Sequence, residues 1–146
     1  MTFSIQSKKS GKPIQIAKWA DKDATGNLSV PSGPRQREMR NSDATGSPLV
    51  VENKFGADVI RFGPNEGVPS HIHEGAHILF VIKGEGFVVY EGVEHRLEPG
   101  LCYFVPGMVE HAIKAESELI LIAVGNDHRP VDSWERMEPV GNSSSQ

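Results

Sequence analysis

The stretch of sequence that decides the fold is His77-Ile-Leu-Phe-Val-Ile-Lys-Gly-Glu-Gly-Phe-Val-Val-Tyr-Glu91, in which two short apolar runs flank a pair of glycines. Runs of this length, rich in β-branched and aromatic residues, are typical of strands. Because Gly84 and Gly86 can take positive φ, the segment between the runs is predicted to close a tight hairpin. The stretch therefore favours an antiparallel β fold.

The same pattern extends on both sides of this stretch, from residue 48 to residue 125. Short apolar runs recur there between Gly, Pro, Asn and Asp residues, and Glu98-Pro99-Gly100 is predicted to form a further turn. The predicted strands are 49–53, 58–62, 77–83, 86–91, 94–97, 102–105, 110–114 and 118–124. Since no helical pattern intervenes, an all-β antiparallel sandwich or barrel is expected.

The two ends of the chain differ from this central part. Residues 1–47 are polar and rich in Gly, Ser, Asp and Lys, which predicts a partly ordered N-terminal arm. Ile14, Ile16 and Trp19 could pack this arm onto the barrel or onto a second subunit. Residues 126–146 are predicted to form a tail with a disordered end, in which Trp134 could dock the part before that end.

Composition excludes several classes of function. The formal net charge is -4 and the pI is about 5.8, with Lys and Arg scattered, so no nucleic acid partner is expected. The apolar runs are far shorter than the roughly 20 residues of a membrane-spanning helix. One cysteine, Cys102, cannot form an internal disulfide, and the N-terminal residues lack the charged-then-apolar layout of a secretory signal, which favours the cytoplasm.

Three of the six histidines lie within seven residues, at His71, His73 and His77. On an extended strand, residues two apart point to the same face, so His71 and His73 can present two imidazoles to one point. His77 keeps this parity, and Gly75 lets the backbone bend so that its ring can join them. Neutral imidazole suits divalent Fe, Mn, Ni, Cu and Zn, so the cluster is a candidate metal site.

The spacing of these histidines resembles the cupin superfamily, whose two motifs read G-x5-H-x-H-x3,4-E-x6-G and G-x5-P-x-G-x2-H. The first motif corresponds to residues 65–84 and the second to residues 100–111, ending at His111. There are three departures: Asn65 and Met108 replace glycines of the motifs, and His77 replaces the glutamate. The resemblance implies a double-stranded β-helix, or jelly roll, over residues 48–125.

What the resemblance implies for the metal is a four-histidine shell of His71, His73, His77 and His111 around one divalent transition metal ion. Without the carboxylate, the shell carries one negative charge fewer, which should favour nitrogen-preferring metals and raise the reduction potential of a redox-active ion. Glu74 is the alternative carboxylate ligand, although its parity turns it away from His71 and His73 on a regular strand. The other two histidines, His95 and His128, are interpreted as surface or structural residues.

Several residues outside the histidine cluster are candidates for contact with a substrate. Guanidinium groups bind carboxylate or phosphate bidentately, and aromatic side chains commonly line ligand pockets, although a solvated arm and an ordinary core explain the same residues. The candidates are Glu74, Phe80, Tyr90, Tyr103, Phe104, Arg35 and Arg37.

These observations favour a mononuclear metal enzyme acting on a small organic substrate. The leading hypothesis is a non-haem dioxygenase, an oxidoreductase in which four protein ligands leave two positions for substrate and dioxygen. The alternatives are a redox-neutral isomerase, lyase or cyclase, and a cupin that binds a small molecule without turnover. Metal is expected to be lost between about pH 6.5 and pH 5, and a homodimer is expected.

Overall fold

Short strands form the secondary structure of the residues that this computed structural model describes, which are 2–30, 37–129 and 138–139. Within these residues there is no helix of the length and apolarity that a bilayer crossing requires. The strands are β1 (Thr2–Ile5), β2 (Ile14–Ala17), β3 (Asp21–Lys22), β4 (Leu28–Ser29), β5 (Arg37–Glu38), β6 (Thr45–Glu52), β7 (Phe55–Phe62), β8 (Gly67–Ile72), β9 (His77–Lys83), β10 (Gly86–Tyr90), β11 (Val93–Leu97), β12 (Cys102–Val105), β13 (His111–Ala115), β14 (Leu119–Gly125) and β15 (Glu138–Pro139).

Two antiparallel sheets make up the main body. The six-stranded sheet has the order β12-β9-β14-β7-β6-β5, and the five-stranded sheet has the order β11-β10-β13-β8-β15. Strands β1 and β2 pair separately, as do β3 and β4. The predicted all-β antiparallel class is therefore confirmed, and the predicted strand at 77–83 is observed with the same bounds.

The core consists of alternate residues on the inner faces of the two sheets. On β7 these are Ile60 and Phe62, and on β14 Leu119 and Leu121, all of them buried. The alternation follows from the strand period of two, which sends successive side chains to opposite faces. Met39 and Ala44, which precede the predicted start of the barrel, also belong to this core.

The segment between β9 and β10 is not the hairpin that the two glycines were expected to close, so that prediction is wrong. Strand β9 pairs with β12 and β14, whereas β10 pairs with β11 and β13 in the other sheet. The connection therefore crosses from one sheet to the other. Gly84, with φ of +88°, packs so closely that a Cβ would overlap the Glu118 carbonyl oxygen, and a Cβ on Gly86 would overlap that of Lys114. Both glycines are thus needed because residues 114–119, which lead from β13 in one sheet to β14 in the other, pass close to them.

The tight hairpins lie elsewhere and use positive φ at both central residues, as type I′ turns require. Glu91 and Gly92, with φ of 48° and 83°, join β10 to β11. Asn53 and Lys54, with φ of 49° and 63°, join β6 to β7.

Within the N-terminal arm, the β1–β2 hairpin contacts β6 through the side chain of Gln15. Gln15 Nε2–H donates to the Val51 carbonyl at 2.8 Å, and the Val51 N–H donates to Gln15 Oε1 at 3.2 Å. Trp19 is half-buried, whereas Ile14 and Ile16 are exposed. Trp134 and all of the predicted tail beyond Arg129, except residues 138–139, lie outside the described residues.

Candidate metal centre

Two adjacent strands of the five-stranded sheet bring the first two histidines together. His71 on β8 lies directly opposite His111 on β13, and their ring centroids are 4.1 Å apart. Both side chains are buried, with 5% and 2% of their surface exposed. His73 follows the end of β8, and its ring lies 4.8 Å from that of His111. The sheet register therefore joins two motifs that are far apart in sequence.

The nitrogen atoms of His71, His73 and His111 lie within 4.8 Å of one another, which makes these three residues a group that could hold a metal ion. In each ring Nδ1 faces a backbone carbonyl. The Nδ1–H groups donate to the carbonyls of Pro69, Gly75 and Val109 at 2.9, 2.7 and 2.8 Å respectively. Because a carbonyl can only accept, these bonds hold each neutral ring with its lone pair on Nε2, the arrangement that ligating histidines adopt.

The environment of His111 fits a bound cation. Its Nε2 is buried and has no hydrogen-bond partner among the described residues. Burial lowers the pKa of His111 to about 4, with a further lowering by His73, against an opposing effect of its bond to the Val109 carbonyl. A buried nitrogen that carries a lone pair and no partner is costly unless something binds it, and a divalent transition metal ion would do so. The residues present therefore fit the metal that the sequence predicts.

His77 lies beside this group, but it is not among the residues whose ligand atoms are within 4.8 Å of one another. Its ring centroid is 4.7 Å from that of His73 and 5.7 Å from that of His111. The described group of ligand atoms within 4.8 Å contains His71, His73 and His111 without His77 or Glu74. Glu74 is exposed, as its parity on the strand predicted.

The two glycine replacements in the motifs both occupy left-handed backbone. Asn65 has φ of 63° and Met108 has φ of 60°. The Met108 N–H donates to the His73 carbonyl at 2.7 Å, so this turn helps to hold the segment that carries a candidate ligand. The geometry explains why glycine, which adopts positive φ without strain, is usual at these positions.

The histidines open onto a cavity of about 290 Å³. Its apolar wall includes Met39, Ile60, Val68 and Leu79, and its polar wall includes Asp58 on β7 and residues 126–129, which directly follow β14. A space of this size, apolar with a few polar groups, suits a small organic molecule.

Residues 58–125 match the cupin domain family. This match covers just under half of the chain. Both motifs, at residues 65–84 and 100–111, lie within the matching segment. The confirmed all-β architecture is the jelly roll of the cupin fold.

Similarity to known proteins extends beyond the cupin domain. The chain is 30% identical over 98 residues to dimethylsulfoniopropionate lyase DddW from Ruegeria pomeroyi, which is 67% of this chain and 64% of that relative. The chain thus spans less than two thirds of the relative's length. The polyketide cyclase RemF from Streptomyces resistomycificus superposes with a TM-score of 0.61 at 22% identity, covering 74% of this chain and 78% of that one. An RmlC-like cupin from Shewanella frigidimarina gives 0.60 at 25% identity, covering 68% and 90%.

The candidate substrate residues are distributed unevenly around the cupin domain. Glu74 lines the cavity. Phe80 and Phe104 are 44% and 61% exposed on the outer face, because they alternate with the buried Leu79 and Val105. The expectation that these two aromatics contact a substrate in the cavity is therefore corrected by their parity.

Three of the other candidates, Tyr90, Tyr103 and Arg37, are not part of the cavity wall. Tyr90 pairs with His111 across β10 and β13 but does not line the cavity. Tyr103 packs against the core, where its hydroxyl is buried without a partner among the described residues and burial raises its pKa well above the usual value. Arg37 is exposed on β5, and Arg35 lies outside the described residues.

Two residues of the cavity wall were missed by the sequence interpretation. Asp58 lies in the middle of β7 with 0% exposure, and the Nε2–H of His128 donates to Asp58 Oδ2 at 2.8 Å. His128 was expected to be structural or exposed, but its side chain is 10% exposed and lines the cavity. A usable signal was present, because Asp58 shares the inward parity of the apolar residues Ile60 and Phe62.

The low pKa of His111 predicts an acid-sensitive metal-free cupin domain. The unfolded chain protonates this histidine near pH 6.5, whereas the folded chain does so only near pH 4, so stability falls as the pH decreases between these values. The contribution is about 3 kcal/mol when complete. Urea unfolding of chelator-treated protein at neutral and acidic pH measures it. His111→Gln should show a correspondingly smaller loss, and an identical loss in both proteins would contradict the prediction.

Proposed function

We propose that this chain is a metal-dependent enzyme that acts on a small carboxylate in a redox-neutral elimination. The observation that carries the proposal is the convergence of three imidazoles, two buried and one half-buried, at the wall of a small cavity, each with its Nδ1 bonded to a backbone carbonyl. A divalent ion held there would act as a Lewis acid that polarises a carboxylate oxygen and stabilises negative charge on the adjacent carbon.

The proposed shell includes His77 as the fourth ligand to His71, His73 and His111. Its ring is within 4.7 Å of His73, so a small change of its side-chain torsions would bring a nitrogen to the shared point. The native metal is proposed to be one of Fe, Mn, Ni, Cu and Zn, which imidazole binds well.

Separate metal titrations of the His77→Ala and His111→Ala variants test the number of ligands. Equal losses of affinity support four ligands, and unchanged affinity in His77→Ala supports three.

Similarity in sequence favours elimination over other redox-neutral reactions. The relative that is 30% identical is named for the cleavage of dimethylsulfoniopropionate, a short carboxylate with a leaving group on its β-carbon. The cavity of about 290 Å³ is of a suitable size for such a molecule. Short carboxylates with a β leaving group are therefore the proposed substrate class.

A dioxygenase is the second candidate, and one specific observation favours it. Among the described residues no carboxylate joins the three-histidine group, so the shell adds no negative charge to the ion. Neutral ligands raise the reduction potential of a redox-active metal and leave positions for substrate and dioxygen.

Turnover with and without air separates the candidates. Protein purified without an affinity tag is analysed for its metal, loaded with that metal, and incubated with dimethylsulfoniopropionate and other β-substituted short carboxylates. Product formation under anaerobic conditions, detected as released dimethyl sulfide and an unsaturated acid, supports the proposal. Conversion that requires and consumes dioxygen replaces it with the dioxygenase, and saturable binding without product replaces it with a binding protein. His111→Ala serves as the metal-site control.

We further propose that the chain is a homodimer, because two apolar surfaces are exposed among the described residues. The first is the outer face of the six-stranded sheet, where Ile78, Phe80 and Phe104 are 40%, 44% and 61% exposed and lie on adjacent strands. The second is one face of the β1–β2 hairpin, where Phe3 pairs with Ile16 and Ile5 pairs with Ile14. A two-fold axis would let the hairpin of each copy cover the sheet of the other.

The Phe80→Glu variant is expected to be a monomer, because the charge would be buried against the partner's apolar surface. Light scattering during gel filtration measures the mass. Val93→Glu, at a residue 57% exposed on the other sheet, is the matched control and should remain dimeric. A monomeric wild-type protein, or a dimeric Phe80→Glu, would contradict the proposed interface. The cytoplasmic location stays a prediction from the cysteine content.

A further inference from the structure

Asp58 and His128 form a buried hydrogen-bonded pair in the same cavity as the metal-site histidines. Three contacts fix the His128 ring. Its Nε2–H donates to Asp58 at 2.8 Å, its backbone N–H donates to the Lys54 carbonyl at 2.6 Å, and the ring lies over Gly56, where a Cβ would be 2.9 Å from Cγ. The backbone and the ring of His128 are therefore both held in place, as a functional side chain requires and a surface histidine does not.

Strand register shows where this pair lies relative to the metal site. Gly125 on β14 pairs with Gly56 on one side and with His77 on the other. The backbones beneath His128 and His77 are therefore two strand spacings apart, or roughly 9–10 Å. His128 and the histidine cluster line the same cavity, so a small molecule bound there can have one end at the cluster and the other beside His128.

The hydrogen bond to Asp58 determines which nitrogen of the neutral His128 ring keeps its lone pair. A carboxylate oxygen accepts, so Nε2 carries the proton and the lone pair of the neutral ring is on Nδ1. His128 makes no other side-chain hydrogen bond to the described residues. Its Nδ1 is thus available to a molecule in the cavity, and Asp58 would stabilise the imidazolium that forms when Nδ1 takes up a proton.

We infer that His128 is the general base of the cavity and that Asp58 is its positioning residue, an inference that rests on the proposed elimination. The Nδ1 lone pair of His128 removes the proton from the α-carbon of the substrate. The C–H electron pair becomes the new double bond between the α- and β-carbons. The bond from the β-carbon to the leaving group breaks, and its electron pair leaves with that group. His128 then returns the proton to water once the products have departed.

The first test examines the tautomer of His128 in the metal-free protein and needs no substrate. In nuclear magnetic resonance spectra of isotope-labelled histidine at about pH 8, where histidine is neutral, His128 should have its proton on Nε2 and none on Nδ1. In Asp58→Asn the amide can either donate or accept, so a mixture of tautomers is expected. A proton on Nδ1 in the wild-type protein would overturn the inference, because no lone pair would then face the cavity.

The second test measures turnover of dimethylsulfoniopropionate by the metal-loaded protein. His128→Gln should lower kcat by about 100-fold or more while the metal content and KM stay close to those of the wild type. Asp58→Asn should lower kcat by about tenfold or more, also with little change in KM. His95→Gln is the matched control, because His95 is exposed on β11 and lies outside the cavity wall, and it should retain full activity.

The two tests separate failure of the inference from failure of the proposed function. Unchanged kcat in His128→Gln alongside an active wild type rejects His128 as the base and leaves the elimination intact. An inactive wild type with all of the substrates rejects the elimination. In that case the tautomer measurement still decides whether His128 presents a basic nitrogen to the cavity.

Discussion

Replacing His111 by alanine is expected to lower the affinity for a divalent transition metal ion by about 100-fold or more, and to abolish any metal-dependent turnover. His111 is the most deeply buried of the three converging histidines, and its Nε2 has no other partner among the described residues. Loss of one imidazole leaves two nitrogens of this group, too few to hold the ion firmly. Isothermal titration with Zn²⁺ and elemental analysis after dialysis measure the change.

The matched control for this substitution is His95→Ala. His95 lies on the edge strand β11, opposite Val88 of β10. It is exposed and lies outside the cavity wall, so its removal should leave the metal content unchanged. Circular dichroism verifies that both variants fold. A His111→Ala protein that binds one metal ion per chain as tightly as the wild type would rule out the proposed centre.

Substituting alanine at Gly84 is expected to destabilise the protein by about 4 kcal/mol or more, which for many domains is enough to prevent folding. Two costs combine at this position. The backbone has φ of +88°, which alanine adopts with strain, and the new Cβ would overlap the Glu118 carbonyl oxygen and lie 2.9 Å from the Leu119 Cα. Neither contact is with a flexible side chain, so relief requires movement of the crossing segment. Urea unfolding followed by circular dichroism gives the loss.

Gly92 provides the control that separates strain from overlap. Its φ of +83° is nearly the same, but nothing lies within 4 Å of the Cβ that an alanine would add. Gly92→Ala should therefore cost only about 1 kcal/mol, the strain of a left-handed alanine. If both substitutions cost the same, close packing between the two crossing segments is not what Gly84 provides.

Most strands of the barrel could be predicted from the sequence because their signal is local, although β8, which carries His71, was not predicted. The alternation of residues in β9 and β14 follows directly from burial of one face, and the predicted bounds agree with the structure at β9 and nearly so at β14. The partner of each strand is not local information. Gly84 and Gly86 gave the same pattern as a hairpin, but the contacts that require them come from residues 114–119.

The candidate metal site was predictable to the extent that its residues cluster in sequence or match a motif. His71 and His73 are two apart, and His111 ends the second motif, whereas the backbone carbonyls that orient their rings could not be assigned in advance. Asp58 and His128 are 70 residues apart, so only the fold shows that they are hydrogen-bonded. A buried acid in an apolar strand indicated that some partner had to exist, but not which one.

The short strand β15 has a consequence for how the protein should be handled. Its two residues, Glu138 and Pro139, pair with Ile72 and His71 on the outer side of β8. A protein shortened before residue 138 would leave the amide and carbonyl groups of that strand bare along the border of the sheet, next to a proposed ligand. Unpaired edge strands pair readily with strands of other molecules. Such a truncated protein should therefore aggregate more readily and release its metal sooner than the intact chain.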